Sequence, residues 1–173
     1  MKRFETKTLV WAALFTALTT VATMVIQVPS PTGGYLNAGD AIVLLSAFLL
    51  GPIWGAVAAG VGSALADILA GYAIYAPATL IIKALMALTA GALLLRAKDK
   101  KPLTYAIAAS LLAEIIMIVG YFIFTALVLR LGWGALAEIP GNCVQGVFGA
   151  VAGTAIFMAL MRIPEVKKQF NTI

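Results

Sequence analysis

Long apolar runs separated by short polar punctuation set the pattern of this chain. Residues 37–91 form the most continuous stretch, broken only by single turn residues and carrying three charges, Asp40, Asp67 and Lys83. Apolar blocks of this length read as membrane-spanning helices. The punctuation predicts six of them, at about 8–28, 39–50, 54–70, 77–95, 103–129 and 140–161. Pro29, Pro31 and Gly33-Gly34 stop the first, so 29–38 reads as a loop. Gly51-Pro52 makes a tight turn between the second and third, and Gly71-Tyr72 ends the third. A charged loop at 96–102 and a second loop at 130–138, with Gly132-Trp133-Gly134, separate the last three. The second span is short for a crossing, which needs about 17–25 residues. Either neighbours shield it or it starts from loop residues tucked into the bundle.

Composition turns this pattern into a solvent assignment. The chain of 173 residues is 62% hydrophobic and 11% charged, with a mean hydropathy of +1.03. A soluble domain has roughly 45–50% apolar and about 25% charged residues, so lipid is the solvent for much of this surface. The net charge of +5 does not imply nucleic acid, because the cations sit in clusters between apolar blocks, as in cytoplasmic loops. With six spans, Lys2, Arg3, Lys7, Arg96, Lys98, Lys100, Lys101, Arg162, Lys167 and Lys168 fall on one side and only Arg130 on the other. The excess of cations inside then puts both termini in the cytoplasm and the protein in the cell membrane. Tyr35, Tyr72, Tyr75 and Trp133 fall near the outer interface, and Trp11 and Trp54 near the inner one, as aromatic belts do. The first apolar block reads as a retained span rather than a cleaved signal. Single Cys143 and the absence of histidine exclude an internal disulfide and the commonest metal ligands. No cofactor is implied. No Gly-rich turn is followed by Lys-Ser/Thr, so any ATP-driven step belongs to another chain.

Candidate chemistry gathers at one depth. At 1.5 Å rise per residue, Asp67 falls roughly 5–8 Å and Lys83 roughly 9–11 Å below the outer boundary. Asp40 starts the second span, Tyr121 and Thr125 lie in the outer half of the fifth, and Asn142 and Gln145 share a face at the start of the sixth. Glu114 is deeper, near the midplane. Lone charges in hydrocarbon need a partner, a cavity or a ligand. Asp67 and Lys83 read either as a structural ion pair or as a pocket lysine with its orienting acid. Asp40 reads as a helix-start cap or a ligand contact. Asn142 caps or binds ligand, and Glu114 either partners Lys83 or floors the cavity. Ala56-x-x-x-Gly60-x-x-x-Ala64 and Gly149-x-x-x-Gly153 are helix-packing stripes, and Ala13 and Ala17 repeat the spacing on the first span.

Several local patterns carry a family likeness: Tyr35-Leu-Asn37-Ala-Gly-Asp40-Ala, Leu50-Gly-Pro52, Gly62-Ser-Ala-Leu-Ala-Asp67, Tyr75-Ala-Pro77-Ala-Thr, Ile82-Lys83-Ala and Ile139-Pro-Gly-Asn142-Cys-Val-Gln145-Gly. With six spans, cytoplasmic termini and small size, the chain resembles the substrate-binding S components of energy-coupling factor (ECF) vitamin transporters. The resemblance implies capture of one vitamin from outside. It implies a pocket built from spans four to six with the loops after spans one and three. It also implies association with a transmembrane T component and two cytoplasmic ATPases, with the Ala13/Ala17 motif contacting the T component. The candidate binding set is Tyr35, Asn37, Asp40, Asp67, Tyr75, Lys83, Glu114, Tyr121, Asn142 and Gln145. Tyrosines with amide and charged donors suit a small hydroxylated aromatic heterocycle, of the pyridoxine or hydroxymethylpyrimidine type, or riboflavin. The competing readings are a self-contained secondary transporter or channel, for which no repeated halves are visible, and a membrane enzyme, for which no nucleophile with an adjacent base is visible.

Overall fold

The computed structural model describes residues 6–97 and 101–170. Lys2, Arg3, Lys98 and Lys100, on which part of the charge sorting rests, lie outside the described residues. The chain is an all-helical bundle with one small hairpin: α1 (Thr6–Val25), strands β1 (Gln27–Pro29) and β2 (Tyr35–Asn37), α2 (Asp40–Leu69), α3 (Ala76–Leu95), α4 (Pro102–Ile123), α5 (Ile139–Leu160) and α6 (Pro164–Phe170). Among the described residues, five helical runs are long and apolar enough to cross a membrane, with Asp40–Leu69 counted once.

That run is not straight. Gly51 has φ 77° and ψ −179°, a conformation open to glycine alone, and Pro52 follows without an amide to continue the ladder. Beyond the turn the chain doubles back. A Cβ on Gly55 would stand 2.6 Å from the Ala47 Cα, and the Ser46 hydroxyl donates to the Gly55 carbonyl at 3.3 Å. In a straight helix those residues would be about 12 Å apart. The first half is the bundle's centre: residues 43–50 are all buried. The eleven residues from Asp40 to Leu50 rise only about 16 Å. Neighbours shield this short stretch, and the hairpin before it is tucked inward, so α2 begins at the depth of Lys83 rather than at the bundle's end.

Small residues set the helix spacings. Gly62 lies under α1, where the Thr20 hydroxyl donates to its carbonyl at 2.9 Å. A Cβ on Gly60 would meet the Leu80 carbonyl of α3 at 2.7 Å. One on Gly153 would meet the Ala41 carbonyl at 3.0 Å. The two stripes therefore serve packing within the chain. Outward faces are apolar, as on α4 (Leu111, Ile115, Val119) and α5 (Val144, Val147, Val151), all exposed, which suits lipid contact.

Three boundaries differ from the sequence reading. Residues 27–37 form an antiparallel hairpin, pairing Gln27 with Asn37 and Pro29 with Tyr35, rather than an open loop. The expected loop at 130–138 holds a 3-10 turn over Gly132–Glu138, entered from a π-helical turn at Phe124–Val128 that prolongs α4. The tail turns back as α6, where Phe170 stacks edge-on against Trp11 at 5.0 Å.

Candidate functional site

The β1–β2 hairpin lies across the ends of α2, α3, α4 and α5 and encloses a small chamber. Ser30, Thr32, Gly34, Tyr35, Asn37, Asp67, Tyr75, Thr79, Tyr121, Glu138, Asn142 and Gln145 line it. Polar atoms from five parts of the chain thus converge where a helix bundle would otherwise bury only hydrocarbon.

The roof is latched on two sides. On one, the Tyr35 hydroxyl donates to Asp67 Oδ1 at 2.6 Å, and its ring lies 4.5 Å from that of Tyr72. Burial, then the Asp67 carboxylate, raises the pKa of the Tyr35 phenol far above its ordinary value, so it remains a donor. On the other, the Thr32 hydroxyl donates to Glu138 Oε2 at 2.9 Å, and Thr125 donates to the same oxygen at 3.0 Å. Tyr75 closes this side by donating to the Thr32 carbonyl at 3.1 Å. Its own phenol is likewise pushed up, first by burial and then by Glu138. Among the described residues, Asp67 Oδ2 and Glu138 Oε1 are buried without a donor.

Beneath the chamber runs a second polar layer. Gln145 joins the two, accepting from the Asn37 amide at 2.8 Å and donating to Asp40 Oδ2 at 2.6 Å. Asp40 pairs with Lys83 through its other oxygen, and the ammonium lies 5.5 Å from the Tyr121 ring centroid. Both ion-pair partners are almost fully buried. Glu114 sits beside them with neither carboxylate oxygen hydrogen-bonded among the described residues. It faces Gly149, where a Cβ would clash with Glu114 Oε1 and with the Asp40 Cβ, both at 2.7 Å.

The structure brings together all ten candidate residues, in two layers. Tyr35, Asn37, Asp67, Tyr75, Tyr121, Asn142 and Gln145 line the chamber, whereas Asp40, Lys83 and Glu114 lie below its floor. The partner of Lys83 is corrected: it is Asp40, because the tucked hairpin lowers the start of α2 to the lysine's depth, while Asp67 is taken by Tyr35. Asp40 is no helix cap either; Gly39 holds the cap position without a side-chain bond. Thr32, Thr79 and Glu138 were absent from the sequence set. Glu138 had a signal: a lone acid between an apolar loop and the proline that opens α5. Ala13 and Ala17 are exposed, on the side of α1 opposite the buried Ala12, Phe15, Thr19 and Thr23.

Comparison with known proteins gives the family of the chain. A family model described as ECF-type riboflavin transporter, S component, matches residues 3–162. The chain belongs to this family. An uncharacterised protein of Pyrococcus woesei, described by its place in the gap 3′ region, is 39% identical over 135 residues, which is 78% of this chain and 88% of that relative. The protein is therefore a multi-pass membrane subunit of the ECF S-component type, a family of transport subunits rather than enzymes. S components work as the substrate-binding part of a module that also holds a T component and ATPases.

Proposed function

We propose that this S component captures riboflavin from the outer side of the plasma membrane and delivers it inward with a T component and two ATPase subunits. The carrying observation is the chamber: tyrosines, amides and donor-free carboxylate oxygens converge under one latched hairpin. Tyr35 with Tyr72, and Tyr75 with Phe124 at 5.4 Å, supply two aromatic units against which a flavin ring can stack. Asp67 Oδ2 and Glu138 Oε1, buried without donors, are acceptors that suit the hydroxyls of a polyol chain, since an unmet buried acceptor costs about 1–3 kcal/mol. A pyridoxine or hydroxymethylpyrimidine ring has fewer hydroxyls to offer. In this reading the chain crosses six times with both termini cytoplasmic, and the fold-back at Gly51 supports counting α2 as two passes.

The chamber has a volume of about 30 Å³, whereas small-molecule sites typically span about 300–1,000 Å³. Ligand entry therefore requires the hairpin to lift. Titration of the purified chain into riboflavin, read by quenching of flavin fluorescence, tests the assignment. Saturable one-to-one quenching, not displaced by pyridoxine or hydroxymethylpyrimidine, is expected. Binding of either competitor with no quenching of flavin would overturn the substrate while leaving the class intact.

A further inference from the structure

A second cavity, of about 580 Å³, opens at the end of the bundle opposite the hairpin. Its floor is the Gly51 turn and the helices around it: Ala47, Phe48 and Phe157 are nearly fully buried. Gly91 is required there, because a Cβ would stand 2.7 Å from the Pro52 nitrogen. Leu94, Leu95, Met158 and Met161 continue the apolar wall. At the mouth stand Arg162, just past α5, and Lys167 on α6. Both are exposed and neither is in an ion pair among the described residues. Among the described residues, no acidic residue lines the cavity. Helix α5 rises about 33 Å from the chamber side, which puts Arg162 at headgroup level on the far face. Arg96 and Lys101, both exposed, share that end.

We propose that this cavity holds an anionic phospholipid, its headgroup on Arg162 and Lys167 and an acyl chain on the buried apolar floor. Basic pockets between membrane helices on the cytoplasmic side select acidic headgroups, and each buried methylene adds to the hold. The charge pattern favours lipid over a protein helix, because a deep hydrocarbon recess with Arg162 and Lys167 at its mouth matches an amphiphile with one charged end. The site is separate from the vitamin chamber and stands whether or not the ligand there is riboflavin.

Native mass spectrometry of the full chain in a neutral detergent, titrated with dioleoyl phosphatidylglycerol or dioleoyl phosphatidylcholine, reads the site directly. One phosphatidylglycerol per chain is expected, held at least tenfold more tightly than phosphatidylcholine. Arg162→Gln with Lys167→Gln removes that preference, and Met158→Trp, which fills the recess and keeps both cations, lowers occupancy by either lipid. An unchanged thermal unfolding midpoint of the lipid-free variants shows that they fold. Equal binding of the two lipids by the wild type, or a preference that survives both changes, overturns the proposal. So does protection of Arg162 and Lys167 that arises only when the T component is present, which would make the recess a protein contact.

Discussion

Removing the Lys83 ammonium would leave the Asp40 carboxylate buried with only Gln145 to satisfy it. Breaking a buried pair from one side costs about 3–5 kcal/mol, whereas replacing both partners by uncharged groups is often nearly neutral. Lys83→Ala is therefore expected to lower the unfolding free energy in detergent by that amount, and Asp40→Asn/Lys83→Met to recover most of it. A single variant as stable as wild type would show that the pair is not formed. Asn142 differs in kind, since it borders the chamber without holding the bundle together. Asn142→Ala is expected to weaken riboflavin roughly tenfold, the loss of one good hydrogen bond, with the unfolding midpoint unchanged. Fluorescence titration beside a melting curve separates the two effects. Which acid pairs with Lys83 could not be read from the chain. Sequence spacing gives depth along each helix only if its start is known, and the tucked hairpin moves the start of α2. That polar groups would gather beneath the loops at one end of the bundle was legible, because isolated charges in apolar runs must converge on something.

Two local elements control what the helices can do. Gly51 has no atom within 4 Å of where a Cβ would be, so any cost of a side chain there is conformational rather than steric. Gly51→Ala is expected to destabilise the protein by about 1–3 kcal/mol, the cost of holding a non-glycine residue in that region. Chemical denaturation measures it, and no loss would mean that the turn relaxes. The hairpin poses the opposite demand, since it must open. Thr32→Val removes the hydroxyl that ties the roof to Glu138 and keeps the shape of the side chain. Flavin association followed by stopped flow is expected to speed up by about tenfold or more, the scale of a hydrogen bond to a charged group. An unchanged rate would place the gate elsewhere. The Gly51-Pro52 turn was plain in the sequence, whereas the hairpin was not. Three-residue strands that include Pro29 carry too little alternation to be read, and their pairing depends on Asn37 reaching Gln145, more than a hundred positions away.

At the scale of the whole molecule, the outer surface of α1 is the part the bundle does not explain. Its buried side, Ala12, Phe15, Thr19 and Thr23, is spent on α2. Ala13 and Ala17 point the other way, between exposed Leu14 and Leu18. Packing within the chain, the ordinary role of such spacing, is thus removed for these two residues, while it holds for Gly60 and Gly153. A lipid-facing strip gains nothing from being small, because lipid fills any shape; a facing helix does gain, since small side chains let backbones approach. This favours the partner role implied by the S-component family, with the T component as the facing helix. Ala13→Leu/Ala17→Leu adds bulk on an exposed face of α1, so flavin binding and unfolding midpoint are expected to stay at wild-type values. Copurification with a T component and its ATPases should fall sharply, and ATP-driven uptake in reconstituted vesicles should fall with it. Full assembly by the double variant would move the partner surface off α1, and loss of flavin binding along with assembly would mean that the exposed face supports the fold after all.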